Sequence, residues 1–254
     1  MTRQRMKAVL AIVMIAITAV GLISSVNADA KVQITGIVKA GLDKIVPYND
    51  MEKDTQKQTK QLPKEQLKEQ NNQNNQDKPL GTILQEKGIT NPGTGLRIVI
   101  DKSEHTLTLV YDGTSLKSYD VEFGSGGSGD KAVEGDRKTP EGIFYVTNRK
   151  IMNPPDYYLG SRWLGVSYPN VEDASRGVAD GLIDKETYND IVNAVNNGEN
   201  PPQNTALGGM IGIHGGSVES FGSDWTWGCV GLKNSDIEDF YGYIVAGTPI
   251  IIQK

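Results

Sequence analysis

Among its 254 residues the chain has one cysteine, Cys229, and two histidines, His105 and His214. A free thiol, with a pKa near ~8.5, is only slightly ionised at neutral pH, so a nucleophilic cysteine needs a base within hydrogen-bond reach, commonly histidine. His214 ends the apolar run of "IGIHGG", where a strand gives out into a glycine loop and its last side chain can face a pocket. His105, in "KSEHTLTL", reads as an exposed strand-end residue, so His214 is the better base. Cys229 sits in "DWTWGCVGLKN". Gly228 removes a side chain beside the sulfur, which lets a substrate carbonyl approach backbone N–H groups able to stabilise an oxyanion. The plainer reading of a lone cysteine is a small buried apolar residue. A Cys229–His214 pair would be recognised by its acidity, with the thiol reactive well below about pH 8.

Other chemistries find less support. One cysteine makes no internal disulfide, and the chain lacks the clustered Cys and His ligands of a zinc site, so no metal is expected. "GSGGSGDK" lacks the Gly-Lys-Ser/Thr ending of a phosphate loop and reads as the loop after a hairpin. Residues 1–95 carry 13 Lys/Arg and 9 Asp/Glu, a balance of +4, while residues 96–254 carry 13 and 22, a balance of −9. A domain that acidic lacks the basic face needed to displace counterions from nucleic acid.

The elements that must position the two residues are mostly strands. "LRIVI", "GIFYVTN", "IGIH" and "TPIIIQK" are β-rich runs, and "DGT" turns "TLTLVY" into "SLKSYDVEFG", which predicts a hairpin over 106–123. Asp184 can cap a helix over "KETYNDIVNAVNN" that Gly198 would end, and Ser235 with Glu238 forms a capping-box pattern before "DFYGYIVAG". In "GDRKTPEG", Thr139-Pro140 and Gly142 suit a turn leading into a strand. "RWLGVSYPNVEDASRG" could cover a substrate through Trp163 and Tyr168, or bury these aromatics in packing. The domain so described is mainly β, with short helices at its periphery.

Ahead of it, Arg3, Arg5 and Lys7 precede an apolar run over 8–23, and "SSVNADA" offers small-x-small cleavage sites. Residues 1–30 therefore read as a signal peptide or a membrane anchor, and the protein as exported. Residues 31–95 read as linker. The first part has helical spacing, and the Gln/Asn/Lys-rich part over about 52–78 has too little apolar surface to fold. About 60 such residues span on the order of 45 Å root-mean-square, enough to hold a domain off a membrane.

The succession "GDRKTPEGIF", "LGGMIGIHGG", "TWGCVGLKNSD" and "GTPIII" resembles the L,D-transpeptidase catalytic domain (YkuD) family over about 96–253. The resemblance implies an L,D-transpeptidase-type β-sandwich in which Cys229 is the nucleophile and His214 the general base and acid. It further implies that the Gly215 carbonyl orients His214, that Gly228 lies in the oxyanion region, and that Thr226 and Asn234 fill supporting motif positions. Two positions depart from the common pattern: Trp227 stands where a histidine often precedes Gly-Cys, and Gly231 where an arginine or asparagine often follows. Both would alter the substrate pocket. The implied reaction is cofactor-free: Cys229 takes an acyl group from a peptidoglycan stem peptide as a thioester, and an amine of a second stem resolves it into a 3-3 cross-link. Resolution by water would make an L,D-carboxypeptidase. Another exported wall cysteine peptidase, or a binding module that has lost activity, are the alternatives.

Overall fold

A computed structural model describes residues 77–218 and 221–254. The expectations for the targeting segment and for nearly all of the tether fall outside the described residues. Among the described residues no helix is long and apolar enough to cross a membrane.

The strands begin where alternation is strongest. Strand β1 (Leu96–Asp101) buries every second side chain and pairs antiparallel with β2 (Thr106–Tyr111). β2 turns through Asp112-Gly113 into β3 (Thr114–Asp120), and both turn residues have positive φ, the backbone that matches strand twist in a two-residue hairpin. The last strand, β8 (Pro249–Gln253), inserts parallel to β1 and antiparallel to β4 (Gly142–Asp156). Its position between two neighbours explains the unbroken apolar run Ile250–Ile252. β4 pairs with β8 through its first four residues and, from Val146 onward, with β5 (Gly160–Val166), with register shifts along the way. β6 (Gly212–His214) and β7 (Val230–Gly231) complete a mixed sheet ordered β3-β2-β1-β8-β4-β5-β6-β7.

The two ends of that order meet. Beyond β3, Glu122 bridges Gly231 and Gly124 bridges Thr226. The N–H of Glu122 donates to the Gly231 carbonyl at 2.9 Å and the return bond is 2.8 Å. The sheet so wraps round one apolar core that includes Ile98, Ile100, Leu109, Phe144, Val166, Ile213 and Phe240. The mainly β fold with few, short helices is borne out.

The helices depart from expectation in three places. Helix α1 (Leu80–Glu86) lies inside the stretch read as linker, yet Leu80, Ile83 and Leu84 are buried and Leu80 and Leu84 belong to the core. The folded unit thus starts ahead of residue 96, because three apolar residues at helical spacing supply roughly 1.5–3 kcal/mol each on burial. Helix α2 (Val171–Ala179), with β5 before it, forms where the sequence left open a substrate cover or buried packing over 162–177; its N-terminus is closed by a reciprocal capping box between Asn170 and Asp173. Helix α3 (Lys185–Asn196) starts at Asp184, which accepts from the Thr187 N–H, and Gly198 follows its end with positive φ. Helix α4 (Asn234–Tyr241) begins one residue before Ser235, with Lys233 at the cap position. The Ser235–Glu238 box does not form: Ser235 Oγ donates to Asp236 instead.

One carboxylate ties α1 to the sheet. Asp239 accepts from the Leu80 N–H at 2.9 Å, the Lys117 ammonium at 2.8 Å and the Tyr119 hydroxyl at 2.9 Å. Replacing Asp239 with alanine leaves a buried ammonium without its counter-charge, a change of about 3 kcal/mol when the pair is well buried. Asp239→Ala is therefore expected to lower the unfolding free energy in urea by about 2–4 kcal/mol. A loss under about 0.5 kcal/mol, the level of an ordinary surface substitution, would show that α1 is not anchored this way.

Candidate active site

β6 and β7 lie parallel, with Ile213 opposite Val230 and His214 opposite Gly231. Cys229 precedes this pair, level with Gly212. By the two-residue period of strands, the side chains of Cys229 and His214 leave the ladder on the same face.

His214 is 0% exposed. Its Nδ1 lies 2.7 Å from the Gly215 carbonyl, which can only accept, so Nδ1 carries the proton and Nε2 presents a lone pair. That Nε2 is buried and has no hydrogen-bond partner among the described residues. Burial pushes the imidazole down to about 4, against the smaller opposing effects of the Gly215 carbonyl and the Asp156 charge. The ring is neutral at neutral pH. Aromatic faces surround it. Trp163 is stacked at 6.0 Å and 14°, Trp225 stands edge-on at 5.6 Å, and Tyr158 lies at 5.8 Å.

Cys229 is 8% exposed and its Sγ points to the Met210 carbonyl at 3.7 Å. Burial pushes the thiol up to about 11, with Gly212 and the Lys131 charge pulling the other way. The acidic thiol expected of a preformed pair is thus absent in this state: both groups are neutral, because each is desolvated and the sulfur faces Met210.

The backbone beneath the sulfur is tightly held. The Cys229 carbonyl accepts from Thr226 Oγ1 at 2.7 Å and from Thr139 Oγ1 at 3.3 Å. Thr226 Oγ1 in turn accepts the Gly228 N–H at 3.2 Å, and Thr139 Oγ1 accepts the Gly124 N–H at 3.0 Å. In this ligand-free state the Gly228 N–H is held by Thr226 Oγ1. Glycine is needed there for space and backbone: φ is +124°, and a Cβ would lie 2.8 Å from the Lys138 carbonyl. Asn234 Oδ1 accepts from the Ser161 N–H at 2.8 Å and the Gly216 N–H at 3.1 Å, pinning the loop after His214 to β5.

The expected pocket residues separate. A cavity of about 590 Å³ is walled by Cys229, Tyr158, Trp163, Met210, Trp227 and Arg137, among others. Trp227 stands at its rim, 69% exposed. Tyr168 does not line it. Tyr168 is 0% exposed, donates to the Leu207 carbonyl at 2.9 Å and packs on Phe144, so it is core. Gly231 is also off the wall: a Cβ there would meet the Trp225 indole at 2.9 Å, and that indole fills the room a larger residue would take. Trp225, Tyr158 and Arg137 are the neighbours that spacing along the chain did not single out. His105 is half-exposed and lies 3.2 Å from Asp224, which also accepts the Phe123 N–H; Glu122 completes a group whose ligand atoms lie within 4.8 Å of one another. These contacts tie the segment before Trp225 to the hairpin.

The acidity of Cys229 can be read by alkylation. With the thiol at about 11, the reactive thiolate is scarce at pH 7 and grows tenfold per pH unit. Iodoacetamide is thus expected to label the ligand-free protein slowly at pH 7 and faster up to about pH 11. A plateau reached already between about pH 5 and 8 would reveal a thiolate–imidazolium pair instead.

Comparison with known proteins identifies the family of the domain. Residues 95–252 match the L,D-transpeptidase catalytic domain family. No curated protein sequence matches the chain. Similar solved structures include Bd1075 of Bdellovibrio bacteriovorus, 22% identical with TM-score 0.44, over 63% of this chain and 48% of that one. The helical cell shape determining protein Pgp2 of Campylobacter jejuni is 21% identical with TM-score 0.43, over 69% and 55%. An L,D-transpeptidase from Xylanimonas cellulosilytica is 17% identical with TM-score 0.37, over 63% and 61%. The chain thus spans about half the length of the first two. The family match runs from β1 into β8 and includes Cys229 and His214, and the chain belongs to the L,D-transpeptidase catalytic domain (YkuD) family.

Proposed function

We propose that this protein is an exported L,D-transpeptidase that forms 3-3 cross-links between peptidoglycan stem peptides through a thioester on Cys229, with the N-terminal segment as its signal or anchor. The observation that carries the reading is the buried, unpartnered lone pair of His214 Nε2, on the same face as the only thiol, beside a cavity of about 590 Å³.

In the proposed reaction the Cys229 side chain turns from the Met210 carbonyl toward His214. Its proton passes to Nε2 as sulfur bonds to the carbonyl carbon of the stem peptide. Both separate ionisations are disfavoured by burial, so proton transfer and S–C bond formation go together, and negative charge develops on the carbonyl oxygen rather than resting on sulfur. The C–N bond to the terminal D-residue then breaks, and its amine leaves with the proton held at Nε2. The Gly215 carbonyl stabilises the transient imidazolium, which occupies the role of a triad acid without adding a charge. An acceptor amine attacks the thioester, gives up a proton to His214 and releases the thiol. Water in place of the amine gives the carboxypeptidase outcome.

The test is intact-protein mass spectrometry of the full chain incubated with a disaccharide-tetrapeptide. A tripeptidyl adduct on Cys229 and a 3-3 dimer are expected. Cys229→Ala is expected to form neither, and His214→Ala to lose at least about 100-fold in rate, the usual contribution of a positioned acid-base group. A tripeptide product alone would assign the carboxypeptidase reaction. Turnover by Cys229→Ala at the wild-type rate would overturn the nucleophile.

A further inference from the structure

The strongest unassigned feature is an arginine at the cavity rim. Arg137 is exposed, has a left-handed backbone (φ 55°), and holds its guanidinium over the Trp227 ring at 5.6 Å. Among the described residues it makes no ion pair. The other cation on the wall differs: the Lys131 ammonium is bonded to Asp136 at 2.8 Å and to the Val133 carbonyl at 2.9 Å, while the wall carboxylate Glu134 makes no ion pair with Arg137. An uncompensated cation is thus displayed on a domain whose residues 96–254 balance to −9.

Its placement is built from backbone contacts. The Arg137 carbonyl accepts the Gly126 N–H at 2.9 Å, and a Cβ on Gly124 would collide with that same carbonyl. The next residue, Lys138, puts its carbonyl against Gly228, the neighbour of Cys229. A left-handed backbone is disfavoured for a non-glycine residue, and here it accompanies a long side chain that lines the cavity. The contact with the Trp227 face holds the charge at the rim while using none of the guanidinium N–H groups. Those edges stay available for the bidentate pairing that carboxylates accept.

We infer that Arg137, set against Trp227 on the approach to β4, is the binding residue for a carboxylate of the peptide substrate. The inference rests on the proposed action on stem peptides. Two carboxylates share this chemistry: the terminal one of the departing residue, and a side-chain one of the residue whose carbonyl is attacked.

The experiment measures binding rather than turnover, so that it remains decisive if the thioester chemistry fails. In full-length Cys229→Ala protein, titration calorimetry with a tetrapeptide stem bearing both carboxylates is compared with the same peptide amidated at its C-terminus and with one amidated at the side chain. Arg137→Gln is expected to weaken binding of the doubly acidic peptide about tenfold, the scale of one charge-assisted pair, with Arg137→Lys in between. For the peptide whose contacting carboxylate is amidated, the Arg137→Gln protein and its arginine-bearing parent are expected to bind alike, which identifies that carboxylate. Equal weakening of all three peptides by Arg137→Gln would overturn the inference, as would no weakening of any, or no binding to the arginine-bearing protein. Formation of the Cys229 adduct, measured separately, reports on the thioester reading alone.

Discussion

The carbonyl of Cys229 is the point through which the site is assembled. Two buried threonine hydroxyls meet on it, and each, having one proton to donate, gives it to this oxygen and accepts an N–H in return. Thr139 brings in the approach to β4 and, through Gly124, the chain beyond β3; Thr226 brings in the approach to β7. Three segments far apart in sequence are so locked at one atom. Leaving either hydroxyl's partner unsatisfied in this buried place would cost about 1–3 kcal/mol, more than an ordinary hydrogen bond contributes. The backbone of Cys229 is thereby fixed, and the proposed chemistry asks only for rotation of its side chain.

That division of labour suits the electrostatics. In a site this dry the desolvation of a charged pair outweighs what the Gly215 carbonyl and the charges of Asp156 and Lys131 return, since the ring of His214 is enclosed by Trp163, Trp225 and Tyr158. The ligand-free protein keeps both groups neutral and leaves an unmet hydrogen bond at Nε2. In the proposed reaction a peptide carbonyl changes the balance, because charge can then develop on an oxygen rather than on either buried group.

Much of this was legible along the chain, and what was not has physical reasons. β1 and most of β2 could be read because one face is buried and alternation follows, β3 because "DGT" marks the turn that leads into it, and α3 because Asp184 and Gly198 mark both ends. β5 was missed because it is buried on both sides, so "GSRWLGV" carries no alternation. The capping box at Asn170 and Asp173 was present in "NVED" but lay among aromatics that suggested a cover. α4 begins at Asn234 because that side chain is drawn away to hold Ser161 and Gly216, a tertiary demand invisible in local spacing. The Cys229 and His214 positions followed from residue type and order, whereas their protonation followed from burial. Gly231 drew attention for what it lacked; only in three dimensions is its place taken by Trp225.

The closure of the sheet has a consequence for recognition. β7 is two residues long and stands last in the strand order, so it would ordinarily be an open edge beside the nucleophile. The chain beyond β3 occupies that edge, with Glu122 and Gly231 exchanging both of their hydrogen bonds. A peptide arriving at Cys229 cannot join the sheet there as one more strand, the common way in which extended chains are held without regard to their side groups. It has to be read by the cavity wall, group by group. A ligand of mixed chirality, unable to match a regular ladder, loses nothing by that arrangement, whereas an ordinary extended polypeptide loses its main handhold.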